Sequence, residues 1–270
     1  MIDYTARLTA LIEDIVGRVP ALGFIDTREV LVFARLGRRG AGGAFATCHS
    51  LDPPDGEPDR YTWVDRRTRR VVRQSEWFVT RAPEVWIGGR RVRHLISFAL
   101  PRFCEQILGD TRKRDDYPGG APWLAKLDTV VHELYHIDPG ERGIRRAARA
   151  DGTASRQAHG PTFYRDVAAM VRAYLATRPD PARLDFLTCG YRELVRRHGA
   201  VAGLTFRTHP SFPQRYLEPV SAPGPGPDVE LVRLRPHRQP SRYTEHDLQL
   251  RRFMARRRPA LIGERLCCFR

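Results

Sequence analysis

The 270-residue sequence predicts an α+β fold, a small twisted β-sheet packed on one amphipathic helix that a second helix crosses. Three observations carry this expectation. Short β-type runs broken by turn residues occupy positions 30–87, an apolar stripe at helical spacing runs through 121–137, and a second such stripe follows Pro161.

Residues 1–18 place Ile2, Leu8, Leu11, Ile12, Ile15 and Val16 near helical spacing, with Gly17 close to the stop. This is the pattern of an amphipathic helix that serves as a lid or support. From Glu29 the texture changes. Val30 to Leu36, Tyr61 to Val64, Val71 to Thr80 and Val85 to Ile87 read as strands, separated by Gly40 to Gly43, by Pro53 to Pro58, and by Gly88 with Gly89. The second and third runs flank an arginine-rich connection, which predicts a hairpin with Arg66, Arg67, Arg69 and Arg70 at its tip. A water-facing turn is the favoured reading of that tip, and contact with nucleic-acid phosphates is the alternative. The glycines of 37–43 are followed neither by a GK[ST] sequence nor by a helix pattern, so a phosphate loop is set aside.

Trp123, Leu124, Leu127, Val130, Val131, Leu134 and Ile137 trace a helical stripe from Ala121, and Pro139 with Gly140 ends it. Pro161 suits an early helical turn, after which Phe163, Val167, Met170, Val171, Tyr174 and Leu175 continue a helix to about Thr177. A further helix is expected from about Pro181 to His198. Beyond Thr208 the prolines read as a tail with one basic helix near Asp247 to Arg258. The expected organisation is therefore an N-terminal helix and connection (1–28), one α+β domain (29–207) and a Pro/Arg-rich basic tail (208–270). No internal repeat at a fixed period is present.

Hydrophobic residues make up 41% and charged residues 29% of the chain, which excludes wholesale disorder and fibrous repeats. The longest apolar runs, such as Leu95 to Leu100 interrupted by Ser97, fall far short of the roughly 20 residues that cross a bilayer. Asp3, Arg7, Glu13 and Asp14 break the layout of a secretory signal. Cys48, Cys104, Cys189, Cys267 and Cys268 are scattered without a C-x-x-C pair, which disfavours a disulfide framework and a zinc ribbon. A cytoplasmic location with no membrane partner is expected. Charge is the unusual quantity: 46 basic against 31 acidic residues give +15, and all but Lys113 and Lys126 of the basic ones are arginine. Residues 236–270 alone hold nine arginines against Glu245, Asp247 and Glu264. A polyanionic partner such as nucleic acid and a merely solvated basic surface both fit this excess.

The most informative string is His132-Glu133-Leu134-Tyr135-His136, an HExxH motif inside a predicted helix. At about 100° per residue, positions i and i+4 differ by only about 40° around the axis, so both imidazoles point to one side, one turn apart. Glu133 is rotated from them, the place of a general base that meets a metal-bound water. A catalytic zinc site needs a third protein ligand and one open position. His159, in His159-Gly160-Pro161-Thr162-Phe163 just before the second helix, is the best third ligand. Three imidazoles with an open position favour Zn2+ among divalent ions.

HELYH followed by HGPTF resembles the SprT-like, or Spartan-type, zinc metallopeptidases, in which HExxH precedes an HGxxF-type element that supplies a third histidine. The resemblance covers about residues 70–178. It implies a zincin-like fold and peptide-bond hydrolysis on a protein or peptide substrate, near DNA in that family, with His132, His136 and His159 holding zinc and Glu133 activating water. The long arginine-rich connection between the two strings and the lack of a following cysteine ribbon depart from the family pattern. The alternative expectation is a noncatalytic, zinc-stabilised nucleic-acid-binding protein.

Other residues carry weaker signals. Asp128, one turn before His132, is read as a solvent-facing carboxylate in preference to an acceptor that orients His132. Tyr135 is read as packing in preference to an active-site hydroxyl. Tyr191 is a candidate to reach a tetrahedral oxyanion. His49, His94, His198, His209, His237 and His246 lack ligand spacing to the motif.

Overall fold

A computed structural model of the chain describes residues 1–37, 42–52, 61–75, 78–81, 83–109, 112–140, 143–148, 157–207, 216–219, 229–232 and 242–254. The first half runs β1 (Ile2–Asp3), α1 (Tyr4–Arg18), β2 (Val30–Gly37), β3 (Ala46–Ser50), β4 (Tyr61–Asp65), β5 (Val71–Ser75), β6 (Phe78–Arg81), β7 (Glu84–Ile87), β8 (Arg90–Val92) and β9 (His94–Pro101). The helices follow: α2 (Lys113–Asp116), α3 (Leu124–Tyr135), α4 (Phe163–Ala176), α5 (Pro181–Thr188) and α6 (Tyr191–His198). The chain then returns to strands: β10 (Val201–Phe206), β11 (Tyr216–Pro219), β12 (Val229–Val232), β13 (Arg242–Thr244) and β14 (Leu248–Phe253). The fold is mixed α+β with several small sheets, and no described helix is long and apolar enough to cross a membrane.

The sheet β2-β9-β3 organises the core, with β2 parallel and β3 antiparallel to the central β9. Side chains alternate between faces with period two. Val32, Ala34, Ile96, Phe98 and Leu100 join one cluster with Leu8, Leu11, Ile12 and Ile15 of α1, Leu127, Val130, Val131 and Leu134 of α3, and Val167 and Val171 of α4. Leu31, Phe33 and Leu95 face the other way, against Val85, Val92, Phe206, Tyr243 and Leu248. Every residue of β9 is buried, because both faces of the sheet are covered.

Helix α1 begins where Asp3 accepts a hydrogen bond from the Ala6 backbone N–H at 3.0 Å. Its far end is tied to α4 by the Tyr174 hydroxyl, which donates to Asp14 at 2.6 Å. The expected hairpin forms from β4 and β5, and its turn 66–70 is exposed, with Asp65 accepting from the Thr68 N–H at 2.6 Å.

Three expectations are corrected. The helix expected over 181–198 is two helices, broken where Cys189 and Gly190 are extended. The carbonyls of Leu187 and Cys189 at that break accept hydrogen bonds from the buried Lys126 ammonium at 2.8 and 2.7 Å, which stabilises the interruption. The run Val71 to Thr80 is divided between β5 and β6. Within the stretch expected as a basic helix near Asp247 to Arg258, Leu248–Phe253 is instead β14, antiparallel to β10, with Leu248 and Phe253 buried at its ends, and 255–258 lie outside the described residues. Strands from the stretch read as a tail also pair with earlier ones: β11 with β6, β12 with β4, and β13 with β7. Cys267, Cys268, His209 and His237 lie outside the described residues.

Candidate metal centre

The buried stripe of α3 anchors it against the sheet and leaves its last turn to present His132, while His136 keeps helical dihedrals as the C-cap (φ −70°, ψ −19°). The i, i+4 relation therefore survives the formal end of the helix. Arg145 secures this end: its backbone N–H donates to the His136 carbonyl at 2.7 Å, and its Nε donates to the Tyr135 carbonyl at 2.9 Å. Its guanidinium lies 4.2 Å from the Tyr135 ring centroid, a cation placed at the negative pole of the helix.

His159 arrives from the connection before α4. The Ala147 N–H donates to the Gln157 carbonyl at 2.9 Å, which pins the two sides of that connection together. Gly160 permits the close approach, since a Cβ there would sit 3.3 Å from the Cβ of Ala147. Phe163, buried at the start of α4, places its ring centroid 4.9, 5.0 and 4.6 Å from those of His132, His136 and His159. All three imidazoles rest on this one ring.

The result is convergence of three Nε2 atoms. His136 Nε2 lies 3.1 Å from His132 Nε2 and 3.1 Å from His159 Nε2, and the three ligand atoms all fall within 4.8 Å of one another. Two nitrogens each 2.0–2.1 Å from a tetrahedral ion stand about 3.3 Å apart, so the spacing fits a shared cation. The electrostatics agree. Burial, then the neighbouring His136 and His159, hold His132 down at about 2, and burial, then His159 and Arg145, hold His136 down at about 4. Burial and Arg112 also lower His159. The rings are thereby kept neutral, the form that ligates a metal. A neutral imidazole whose proton sits on Nδ1 turns a lone pair on Nε2 toward the other two rings, and one cation accepts all three such lone pairs.

Glu133 is 5% exposed, and burial pushes its carboxyl up to about 8. The backbone of Cys48 on β3 hydrogen-bonds the carboxylate and, with the charges of Lys113 and Arg35, opposes that rise.

The structure corrects two candidates. Asp128 is not solvent-facing but 2% exposed, ion-paired with Lys113 at 2.7 Å and accepting from the Tyr117 hydroxyl at 2.7 Å. Helix α2 delivers Lys113 into the core beside it, and these partners occupy Asp128 in place of His132. Tyr191 donates its hydroxyl to the Phe253 carbonyl, and its N–H reaches Glu105 at 3.2 Å. It follows Cys189 by two residues, and the Cys189 carbonyl accepts from Lys126 in the first turn of α3, at the other end of the helix from His132. Tyr135 packs on Phe163 at 4.9 Å and donates to Asp166 at 3.3 Å, the packing role expected. Arg66, Arg67, Arg69 and Arg70 occupy the exposed turn of the sheet β12-β4-β5, separate from the sheet β2-β9-β3.

Sequence reasoning missed Lys113, Arg112, Arg145 and Tyr164 around the centre. One signal pointed to the first: in a chain whose other basic residues are arginine, both lysines are buried, Lys113 against α3 and Lys126 within it. A compact ammonium fits where a planar guanidinium does not. Comparison with family models, curated proteins and solved structures yields no match.

Proposed function

We propose that the chain is a zinc metallopeptidase of the SprT-like type, with a zincin-like arrangement of α3 and α4, that hydrolyses peptide bonds in a protein or peptide substrate. The convergence of His132, His136 and His159 Nε2, with buried Glu133 next in sequence to the first of them, carries this reading. The three imidazoles hold the metal, and imidazole donors with an open position suit zinc. When bound, Zn2+ supplies a Lewis acid that polarises a carbonyl and acidifies water.

Glu133 does the proton work. A nearby cation favours its carboxylate, which takes the proton of the attacking water as the new C–O bond forms. The protonated acid then delivers that proton to the amine nitrogen as the C–N bond breaks. A carboxyl whose affinity for protons is already raised by burial is suited to hold one between the two steps. The test is Glu133→Gln, which keeps the shape of the side chain. It is expected to retain one zinc per chain while hydrolysis of an unfolded protein substrate falls by about 10²–10⁴-fold. Turnover at the wild-type rate contradicts the proposal.

A second reading attaches to the exposed arginines of 66–70: contact with a nucleic acid, with zinc serving only to stabilise the fold. Binding to nucleic acid that weakens steeply with salt, in a protein with no hydrolytic activity, favours it over the peptidase.

A further inference from the structure

We infer that Tyr164, clamped beneath Arg112, is a positioning residue that turns the His159 ring so that Nε2 rather than Nδ1 meets His132 and His136. The inference rests on the metal-binding reading of these histidines and adds a residue to it.

The three imidazoles are not held alike. His132 and His136 take their directions from α3, whereas His159 is exposed and stands in a connection. Its ring has two nitrogens to offer, and a neutral imidazole carries one proton, on either of them. The Tyr164 hydroxyl oxygen lies 3.0 Å from His159 Nδ1. When Nδ1–H donates to that oxygen, Nε2 is left with its lone pair, as a cation requires.

Tyr164 is itself fixed by two further contacts. The Arg112 guanidinium lies 3.1 Å from its ring centroid, and its ring stacks on His132 at 5.9 Å with 23° between the planes. Arg112 is anchored through the next residue. The Lys113 ammonium is buried, donates to the Ala125 carbonyl at 2.9 Å and to Thr129 at 2.5 Å, and pairs with Asp128. The sequence Arg112-Lys113 therefore joins α3 to α4, with one side chain driven under α3 and the other laid on Tyr164. Tyr135, the other tyrosine near the rings, gives its hydroxyl to Asp166 and does not compete for this role.

The experiment compares the full-length wild type with Tyr164→Phe and Arg112→Gln. In the metal-free protein, imidazole 15N spectra read the tautomer of His159; in parallel, chelator competition reads Zn2+ affinity. Wild type is expected to show His159 protonated at Nδ1. Tyr164→Phe is expected to shift it toward the Nε2–H form and to weaken Zn2+ binding by about 10–100-fold, with melting of the metal-free protein unchanged. Arg112→Gln is expected to move both readouts the same way by less, and it serves alone if Tyr164→Phe does not fold. Wild-type tautomer and wild-type affinity in the variants overturn the inference. If the wild type takes up no Zn2+, it is the metal reading that fails, and the tautomer comparison still decides whether Tyr164 sets the ring.

Discussion

His159 Nε2 lies 3.1 Å from His136 Nε2, although the arginine-rich connection separates the two residues in sequence. Arg145, Ala147, Gln157 and Gly160 turn that connection into a brace: they close the end of α3 and bring the loop back across it. The described part of this long connection is thus a structural support for the centre.

Phe163 is the platform under all three imidazoles. Phe163→Ala is expected to cost about 3–5 kcal/mol of stability, as for other fully buried aromatic truncations. Phe163→Leu preserves much of the volume and costs less, yet it removes the flat surface the rings rest on. Urea unfolding of the metal-free protein, paired with Zn2+ competition, checks this: the leucine variant is expected to lose more in metal affinity than in stability. Equal zinc binding by wild type and Phe163→Leu would contradict the platform role.

Lys113 and Asp128 form a buried pair in which each supplies the other's counter-charge. Asp128→Ala is expected to destabilise the fold by about 3–5 kcal/mol, since an ammonium without a counter-charge then remains in the core. The double variant Lys113→Met with Asp128→Leu is expected to recover much of that loss. A double-mutant cycle by denaturant unfolding measures the coupling, and simple additivity of the two single changes would show that the pair is not coupled.

Asp14 links α1 to α4 and gives the fold one of its acid sensitivities. Burial raises its carboxyl, but hydrogen bonds from Tyr174 and Arg18 outweigh this and hold it below its ordinary value. A carboxylate with a lowered folded-state value contributes stability above the unfolded pKa of about 3.9 and loses it as pH falls through the folded value. Tyr174→Phe removes one of these hydrogen bonds and is expected to lower stability by roughly 1–2 kcal/mol at pH 7, less below pH 3. Unfolding curves at the two pH values check the sign: a loss that grows on acidification would refute it.

The helices α1 and α4 are legible because each has a single buried face, and α3 because its apolar residues keep helical spacing although Lys126, Asp128, Thr129 and Glu133 are buried on its other sides. Strand β9 is not, because His94–Pro101 is buried on both faces and shows no alternation. The division of α5 from α6 depends on Lys126 reaching across from α3, and β14 forms because β10 offers an edge for Leu248–Phe253 to pair with. Such tertiary causes leave little local trace. The same distinction runs through the centre. His132 and His136 follow from helix geometry and His159 from its place before α4, whereas Asp128 was misjudged because its environment is set by Lys113, and Tyr164 was invisible because its partners Arg112 and His159 meet it only in three dimensions.

Whether one cation is shared by three imidazole nitrogens is read by X-ray absorption at the zinc edge of the stoichiometrically loaded protein. Three imidazole nitrogens at about 2.0–2.1 Å in a four-coordinate shell are expected, falling to two in His159→Ala. A shell containing sulfur, or one unchanged by His159→Ala, would contradict this expectation.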